Sequence, residues 1–190
     1  MTHRRQTGVT LIELLVTISI AAILMAVAVP GFRDFFQRNR IDAAASDLMA
    51  ALSYARSEAI RRGVRVSVCR SDTGSNCTPP PPPPTPPPPT QPWQSGWIVF
   101  TNPNNDDDVD PGEEILRVHQ ALPAGVTVNA NNNFQDRITY QPDGRITNTV
   151  GGSFLICHVG DTEDARRTED ARRIVVIGTG RARVENATCS

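Results

Sequence analysis

Two arginines lie two residues apart near the C-terminus, in the segment Gly180-Arg181-Ala182-Arg183. In a β-strand, residues i and i+2 point to the same face, so these two side chains would project together. Two adjacent guanidinium groups suit successive phosphates, because each planar fork can bond bidentately. Arg172 and Arg173 lie on the preceding β-branched run, and one of them would join the same face. The pattern therefore predicts a small phosphate-binding patch.

Such a patch would give weak, salt-sensitive binding that does not read bases. The alternative is that arginines alternating with small residues mark a solvated edge strand, where charge discourages aggregation. The 190-residue chain has 19 basic residues, all arginine, against 20 acidic ones, for a net charge of −1. This balance excludes attraction of a polyanion by the whole surface, so any anionic partner needs a local patch. A mean hydropathy of −0.29 excludes a multi-pass membrane protein.

The four cysteines predict two disulfides and an oxidising compartment. Cys69 and Cys77 flank a turn-rich stretch and favour a local bridge. Cys157 ends a β-branched run and Cys189 nearly ends the chain, so a second bridge would tie down the C-terminus. Four cysteines allow three pairings, and the sequence does not choose among them. A metal site is disfavoured, because paired C-x-x-C spacing is missing and His158 is the sole histidine nearby.

Other candidate sites are weaker. Aligned with a calcium-binding EF-hand loop, the acidic stretch 102–114 places Asn102, Asn104 and Asp106 at positions 1, 3 and 5 and Glu113 at position 12. Position 1 should be Asp and position 6 Gly, so a solvated turn between two strands is the default. Histidines are isolated and no nucleophile or phosphate-loop motif occurs. We expect no catalytic residue, no metal and no cofactor.

The N-terminus predicts a membrane helix. Val9 to Val29 forms a 21-residue run with one charge, Glu13. A helix of that length is roughly 31 Å long, enough to cross a bilayer core once. No small-residue cleavage site follows, so we expect retention as an anchor rather than a secretory signal. A carboxylate at that depth costs about 2.5 kcal/mol or more without a partner, which makes Glu13 a functional candidate.

The remaining pattern predicts an α+β fold. Pro30 should kink or loosen the helix, and an apolar stripe that includes Ile60 resumes between Phe35 and Arg62, with Gly63 as a C-cap. Short β-branched runs follow and do not alternate with helices, so we expect a mainly antiparallel sheet against the long N-terminal helix. Asp143-Gly144 indicates a hairpin turn.

Two segments are interpreted as expanded loops. Of 16 prolines, 11 lie between Pro79 and Pro92, where consecutive prolines favour a polyproline II rod. A proline-recognition motif is the alternative to a solvated insertion. Residues 162–173 consist of two consecutive copies of TEDARR, which add both arginines and acids beside the proposed patch. Lengthening of a tolerant loop is the simplest account.

The N-terminal residues resemble a known signal. Gly8 followed by VTLIELL, with Glu13 five places after the glycine, is similar to the class III signal of type IV pilins and pseudopilins. The resemblance implies cleavage after Gly8 by a prepilin peptidase and N-methylation of Val9. It also implies that Glu13 pairs with the terminal amine of a neighbouring subunit during assembly. Most members have Phe where this chain has Val9.

Later segments resemble the GspH/FimT family of minor pilins and pseudopilins. They are ALSYARSEAIRRGVRVSVCRS, SGWIVFTNPN, GEEILRVHQALPAGV, RITYQPDGR and RRIVVIGTGRARV, in that order. One branch of the family is linked to DNA uptake and marked by a C-terminal G-R-x-R motif, which residues 180–183 match. The resemblance implies a minor type IV pilin that binds double-stranded DNA during natural transformation. The alternative is a structural component of a type II secretion pseudopilus.

Together these features predict an organisation in five parts. Residues 1–8 are the leader, 9–29 the transmembrane helix, 30–63 its amphipathic continuation and 64–190 a β-rich domain, with 79–92 as the proline-rich insertion. The resemblance implies a single-pass inner-membrane protein with its C-terminal domain in the periplasm, partnered by other pilins through the N-terminal helix. Cleavage after Gly8 removes Arg4 and Arg5, leaving 17 basic against 20 acidic residues. DNA binding would then rest on a few arginines.

Overall fold

The computed structural model describes residues 10–79, 93–131, 133–134, 136–158 and 171–189, except for the side chains at 27–34. The chain divides into two compact units, Met1–Arg38 and Asn39–Ser190. In the described part of the first unit, the apolar side chains are largely exposed. The second unit contains the hydrophobic clusters, all the described strands and both disulfides.

The long helix α1 runs from Leu11 to Arg62. It is continuous at position 30, so the proline there does not end it. The helix ends where predicted: Gly63 adopts a φ of 68°, and its N–H donates to the carbonyl of Ala59 at 3.0 Å. Within the described residues, no helix combines the length and apolar character of a membrane span. Position 9 and the side chains at 27–29 of the predicted span lie outside those residues.

One face of α1 is buried in the second unit. Its buried apolar side chains are at most 3% exposed and are mostly alanines, which allow the helix to approach the sheets closely: Ile41, Ala44, Ala45, Leu48, Ala51, Leu52, Ala55 and Ala59. Ile60 was predicted on this stripe, but it is 52% exposed. The prediction was wrong because Ile60 borders an open groove rather than a sheet.

Eight strands follow the helix in the part of the chain that the structure describes. They are β1 (Val66–Arg70), β2 (Trp97–Thr101), β3 (Ile115–His119), β4 (Val126–Ala130), β5 (Arg137–Tyr140), β6 (Gly152–His158), β7 (Ala171–Val176) and β8 (Ala182–Ala187). Their order is β3-β2-β1-β5 in one sheet and β4-β6-β7-β8 in the other, and every pairing is antiparallel. The α+β prediction is confirmed, with two sheets where one was expected.

The two sheets share one core with α1. Side chains from both sheets and the helix form a single hydrophobic cluster, which includes Trp93 and Trp97. The pairing of β5 with β1 places Tyr140 opposite Val66, and the Ser67 and Thr139 hydroxyls hydrogen-bond at 2.7 Å inside the sheet. The predicted turn then follows β5: the N–H of Gly144 donates to the carbonyl of Gln141 at 2.8 Å.

Candidate phosphate-binding groove

The β7–β8 hairpin positions the C-terminal arginines. Its register places Val175 opposite Arg183 and Arg173 opposite Glu185. Directly opposed residues lie on the same face of a sheet, so Arg173 and Arg183 share one face. The carbonyl of Arg181 accepts a hydrogen bond from the N–H of Ile177 at 3.0 Å, which extends the ladder to the turn. Alternation then places Arg181 on the face of Arg183.

Gly180 lies in the turn of this hairpin, and replacing it by any other residue would force the backbone around it to move. Its φ is +79°, and a Cβ built there would lie 2.0 Å from the carbonyl oxygen of Gly144 and 3.3 Å from Cε1 of Tyr140. The hairpin turn is therefore pressed backbone to backbone against the turn that follows β5. The first residue of the G-R-x-R segment has a structural role, since it holds the two arginines at that position.

Arg181 and Arg183 border a groove between α1 and the β7–β8 hairpin. The groove has a volume of about 730 Å³. Its wall on the helix side includes Arg56 and Ile60, and the hairpin side adds the half-exposed Ile177. We call this feature the arginine groove. It combines three guanidinium groups with apolar walls.

Arg56 is the member of the arginine groove that the sequence did not indicate. Its Nε donates to the carbonyl of Gly144 at 2.9 Å, a contact between residues 88 positions apart. Neither helical periodicity nor the C-terminal motif relates the two positions. Only the pairing of β5 with β1, which the sequence does not specify, places the turn at Gly144 beside the helix.

The two arginines of the preceding strand have different environments. Arg172 pairs with Asp42 of α1 at 2.8 Å, so it contributes to holding the helix against the sheet. Arg173 is exposed, on the same face as Arg183. Of the two, Arg173 is therefore the one placed to join a patch with Arg181 and Arg183.

Glu185 is an acid within this patch. Its carboxylate accepts a hydrogen bond from Nε of Arg183 at 2.6 Å, and it lies opposite Arg173 in the register. The Arg183 side chain is 67% exposed, so this ion pair is worth less than about 1 kcal/mol. The pair is weak enough for a phosphate to replace the carboxylate, but Glu185 reduces the local positive charge.

Tyr140 forms part of the groove lining and carries a buried hydroxyl with no hydrogen-bond partner in the described part of the chain. Burial raises the pKa of this phenol well above its usual range, and the positive charge of Arg56 opposes that shift. The group stays neutral at physiological pH. It contributes packing rather than charge to the groove.

The predicted assembly residues are only partly within the described chain. Glu13 lies exposed in the first turn of α1, where its N–H donates to Oγ1 of Thr10 at 3.3 Å. Gly8 and Val9, the predicted sites of cleavage and methylation, lie outside the described residues.

Two disulfides are formed, and they settle the pairing that the sequence left open. Cys69 joins Cys77, and Cys157 joins Cys189. The first bridge packs with Ile98 and Phe100 in a small second cluster. The second connects β6 to the end of the chain beyond β8, so it fixes the strand that carries Arg183.

The acidic loop does not match the EF-hand alignment. Asn102, aligned with the first ligand, is fully buried, and its side-chain amide donates to Ser67 and to the carbonyl of Asp106. The carboxylates that do converge are those of Asp106, Asp110 and Glu113. Burial raises the pKa of Glu113, although a hydrogen bond from the N–H of Asp110 opposes this. Exposed acids hydrogen-bonded within one loop are common without a bound ion.

The long helix packed on two antiparallel sheets defines a pilin-like α+β protein. Residues 44–180 match the family described as Type II transport protein GspH, and residues 3–29 match the prokaryotic N-terminal methylation motif. The chain belongs to the GspH family. It is thus a minor pilin or pseudopilin, a structural subunit rather than an enzyme, with other pilins and prepilin peptidase as the partners of its class.

Individual relatives are distant. The chain is 26% identical over 189 residues to the pilin-like protein PilA1 of Thermus thermophilus, covering 97% of this chain and 100% of that protein. The fold is similar to that of the type IV minor pilin FimU of Pseudomonas aeruginosa, with a TM-score of 0.55 and 22% identity over 80% of this chain and 92% of that one. A second crystal form of FimU gives a TM-score of 0.52 with 21% identity, covering 76% and 91% of the two chains.

Proposed function

We propose that this chain is a minor type IV pilin that binds double-stranded DNA through Arg181 and Arg183, with Arg173 at the edge of the site, during DNA uptake. The peptidase removes residues 1–8, Val9 is methylated, and Val9 to Val29 hold the chain in the inner membrane with its C-terminal domain in the periplasm. Glu13 then pairs with the terminal amine of a neighbouring subunit as the chain enters the filament.

The observation that supports DNA binding is the position of the two arginines. They lie on one face of a hairpin and border a groove, and neither forms a buried ion pair within the described residues. Arg173, Arg181 and Arg183 are exposed on the hairpin. Residues 161–190 contain six arginines and six acids, so the region has no net charge and binding depends on where the arginines lie.

The direct test is a titration of the full chain, in nonionic detergent, with a blunt 30-base-pair duplex at low salt. Replacing Arg181 and Arg183 by Ala is expected to lower the affinity at least tenfold, because two phosphate contacts are lost. The matched control replaces Arg40 and Arg117, two exposed arginines outside the groove, and should change affinity less than threefold. Equal affinity of the wild type and the Arg181/Arg183 variant would refute DNA binding at this site.

Removing the negative charge of Glu185 should increase the affinity for DNA. Glu185→Gln is expected to raise DNA affinity about three- to tenfold, because Arg183 is released and a charge that repels phosphate is lost. Asp108→Asn, the same change of charge in the acidic loop, serves as the control. A Glu185→Gln affinity no higher than that of Asp108→Asn would show that Glu185 does not lie at the DNA site.

A second candidate function is a structural role in a type II secretion pseudopilus, which the family's description as a type II transport protein favours. In that case the arginines stabilise contacts with other pseudopilins or a solvated edge strand. Deletion of the gene discriminates between the two: the first function predicts loss of transformation, and the second predicts loss of protein secretion.

A further inference from the structure

Arg56 differs from the other two groove arginines in how it is held. It lies on α1, its side chain is partly buried, and its Nε is fixed by the carbonyl of Gly144 at 2.9 Å. Its two terminal amino groups have no partner in the described part of the chain, and neither is among the buried atoms that lack one. They therefore remain accessible to solvent. The bond at Nε orients the guanidinium and leaves the fork of Nη1 and Nη2 free.

We propose that the arginine groove seats one sugar–phosphate strand of the DNA, with the Nη fork of Arg56 as the third phosphate contact beside Arg181 and Arg183. This inference rests on the proposed function and adds a binding residue that lies outside the C-terminal motif. A guanidinium already oriented by a backbone carbonyl loses less conformational freedom on binding phosphate than a mobile one does.

The apolar walls fit the same ligand. Ile60 and Ile177 are 52% and 43% exposed on opposite sides of the groove, where the carbon face of a deoxyribose would contact them. No base edge needs to enter the groove, because phosphate and sugar contacts alone supply this kind of binding. The site therefore binds without regard to sequence and depends on salt.

The test measures DNA affinity of the full chain in nonionic detergent over a series of salt concentrations. Arg56→Gln is expected to lower affinity three- to tenfold and to reduce the magnitude of the slope of log K against log salt by about 0.9, the value for one phosphate contact. Arg56→Lys keeps the charge and should retain the slope. Arg40→Gln, at an exposed position of the same helix, is the control.

A second variant tests the groove without removing the bond to Gly144. Ser53→Glu adds a carboxylate to the helix wall of the groove and should lower affinity as Arg56→Gln does, whereas Ser46→Glu, at an exposed position of α1 outside the groove lining, should not. This variant decides the question even if Arg56→Gln fails to fold.

The outcomes separate the two proposals. If the Arg181/Arg183 variant loses DNA binding while Arg56→Gln and Ser53→Glu keep the wild-type affinity and slope, Arg56 only anchors the turn after β5 and this inference is overturned. If the Arg181/Arg183 variant also binds normally, the proposed function itself fails.

Discussion

Gly180→Ala is expected to lower the free energy of unfolding by about 3 kcal/mol. An L-residue held at a φ of +79° costs about 1–2 kcal/mol. The new Cβ also lies 2.0 Å from the carbonyl oxygen of Gly144, a contact that forces the two turns apart at a further cost of about 1–3 kcal/mol. Urea denaturation followed by the fluorescence of Trp93 and Trp97, which are both buried in the second unit, measures the loss.

Gly63 provides the matched control for Gly180. It has a similar φ of +68°, but a Cβ built there meets nothing within 4 Å. Gly63→Ala therefore isolates the conformational cost and should lose about 1–2 kcal/mol. If the two alanine variants lose the same free energy of unfolding, the turn at Gly180 does not pack closely against the turn at Gly144. The glycine of the G-R-x-R segment would then not position the arginines.

Loss of the Cys157–Cys189 disulfide should destabilise the protein more than loss of the Cys69–Cys77 disulfide. The two bridges close loops of 32 and 8 residues. The entropy of loop closure gives about 3.7 kcal/mol for the longer loop and about 2.5 kcal/mol for the shorter. Paired Cys→Ser variants, compared by the same urea denaturation, measure both values.

The order of the two losses is the informative result. A greater loss from the Cys69/Cys77 pair would mean that the small cluster with Ile98 and Phe100, and not the closed loop, determines the effect. A Cys157/Cys189 variant that is stable but binds DNA less tightly would show that the bridge fixes β8 for binding.

The sequence predicted the elements more reliably than their pairing. The end of α1 at Gly63 and the β-branched runs were recognisable because their signals are local. Which strands pair is a matter of long-range contact: β5 pairs with β1, some 70 residues earlier, and β4 pairs with β6. The expectation of a single sheet failed for that reason.

The residues of the proposed site were also predictable only where their signals are local. The spacing of Arg181 and Arg183 predicts that they share one strand face, since alternation in a strand needs no tertiary information. Their interpretation as a DNA site also required the resemblance to the GspH/FimT family. Arg56 could not, because its place in the groove depends on the turn at Gly144 meeting the helix. The separation of Arg172 from Arg173 likewise depends on where α1 crosses the sheet, which places Asp42 beside one arginine and leaves the other exposed.

The buried Asn102 illustrates a motif that failed for a physical reason. The EF-hand alignment, the weaker of the two interpretations of this stretch, placed Asn102 at a ligand position. Asn102 directly follows β2, is buried, and donates a hydrogen bond to Ser67 of β1. Ligand spacing in a sequence gives the distance along the chain and does not give the direction of the side chain.

DNA uptake by cells that carry the Arg181→Ala, Arg183→Ala variant tests the central claim most directly. We predict at least tenfold lower uptake of duplex DNA, with unchanged incorporation of the variant into filaments and unchanged protein secretion, and normal uptake with the Arg40/Arg117 control. Normal uptake by the Arg181/Arg183 variant, or a loss of secretion in its place, would contradict the account.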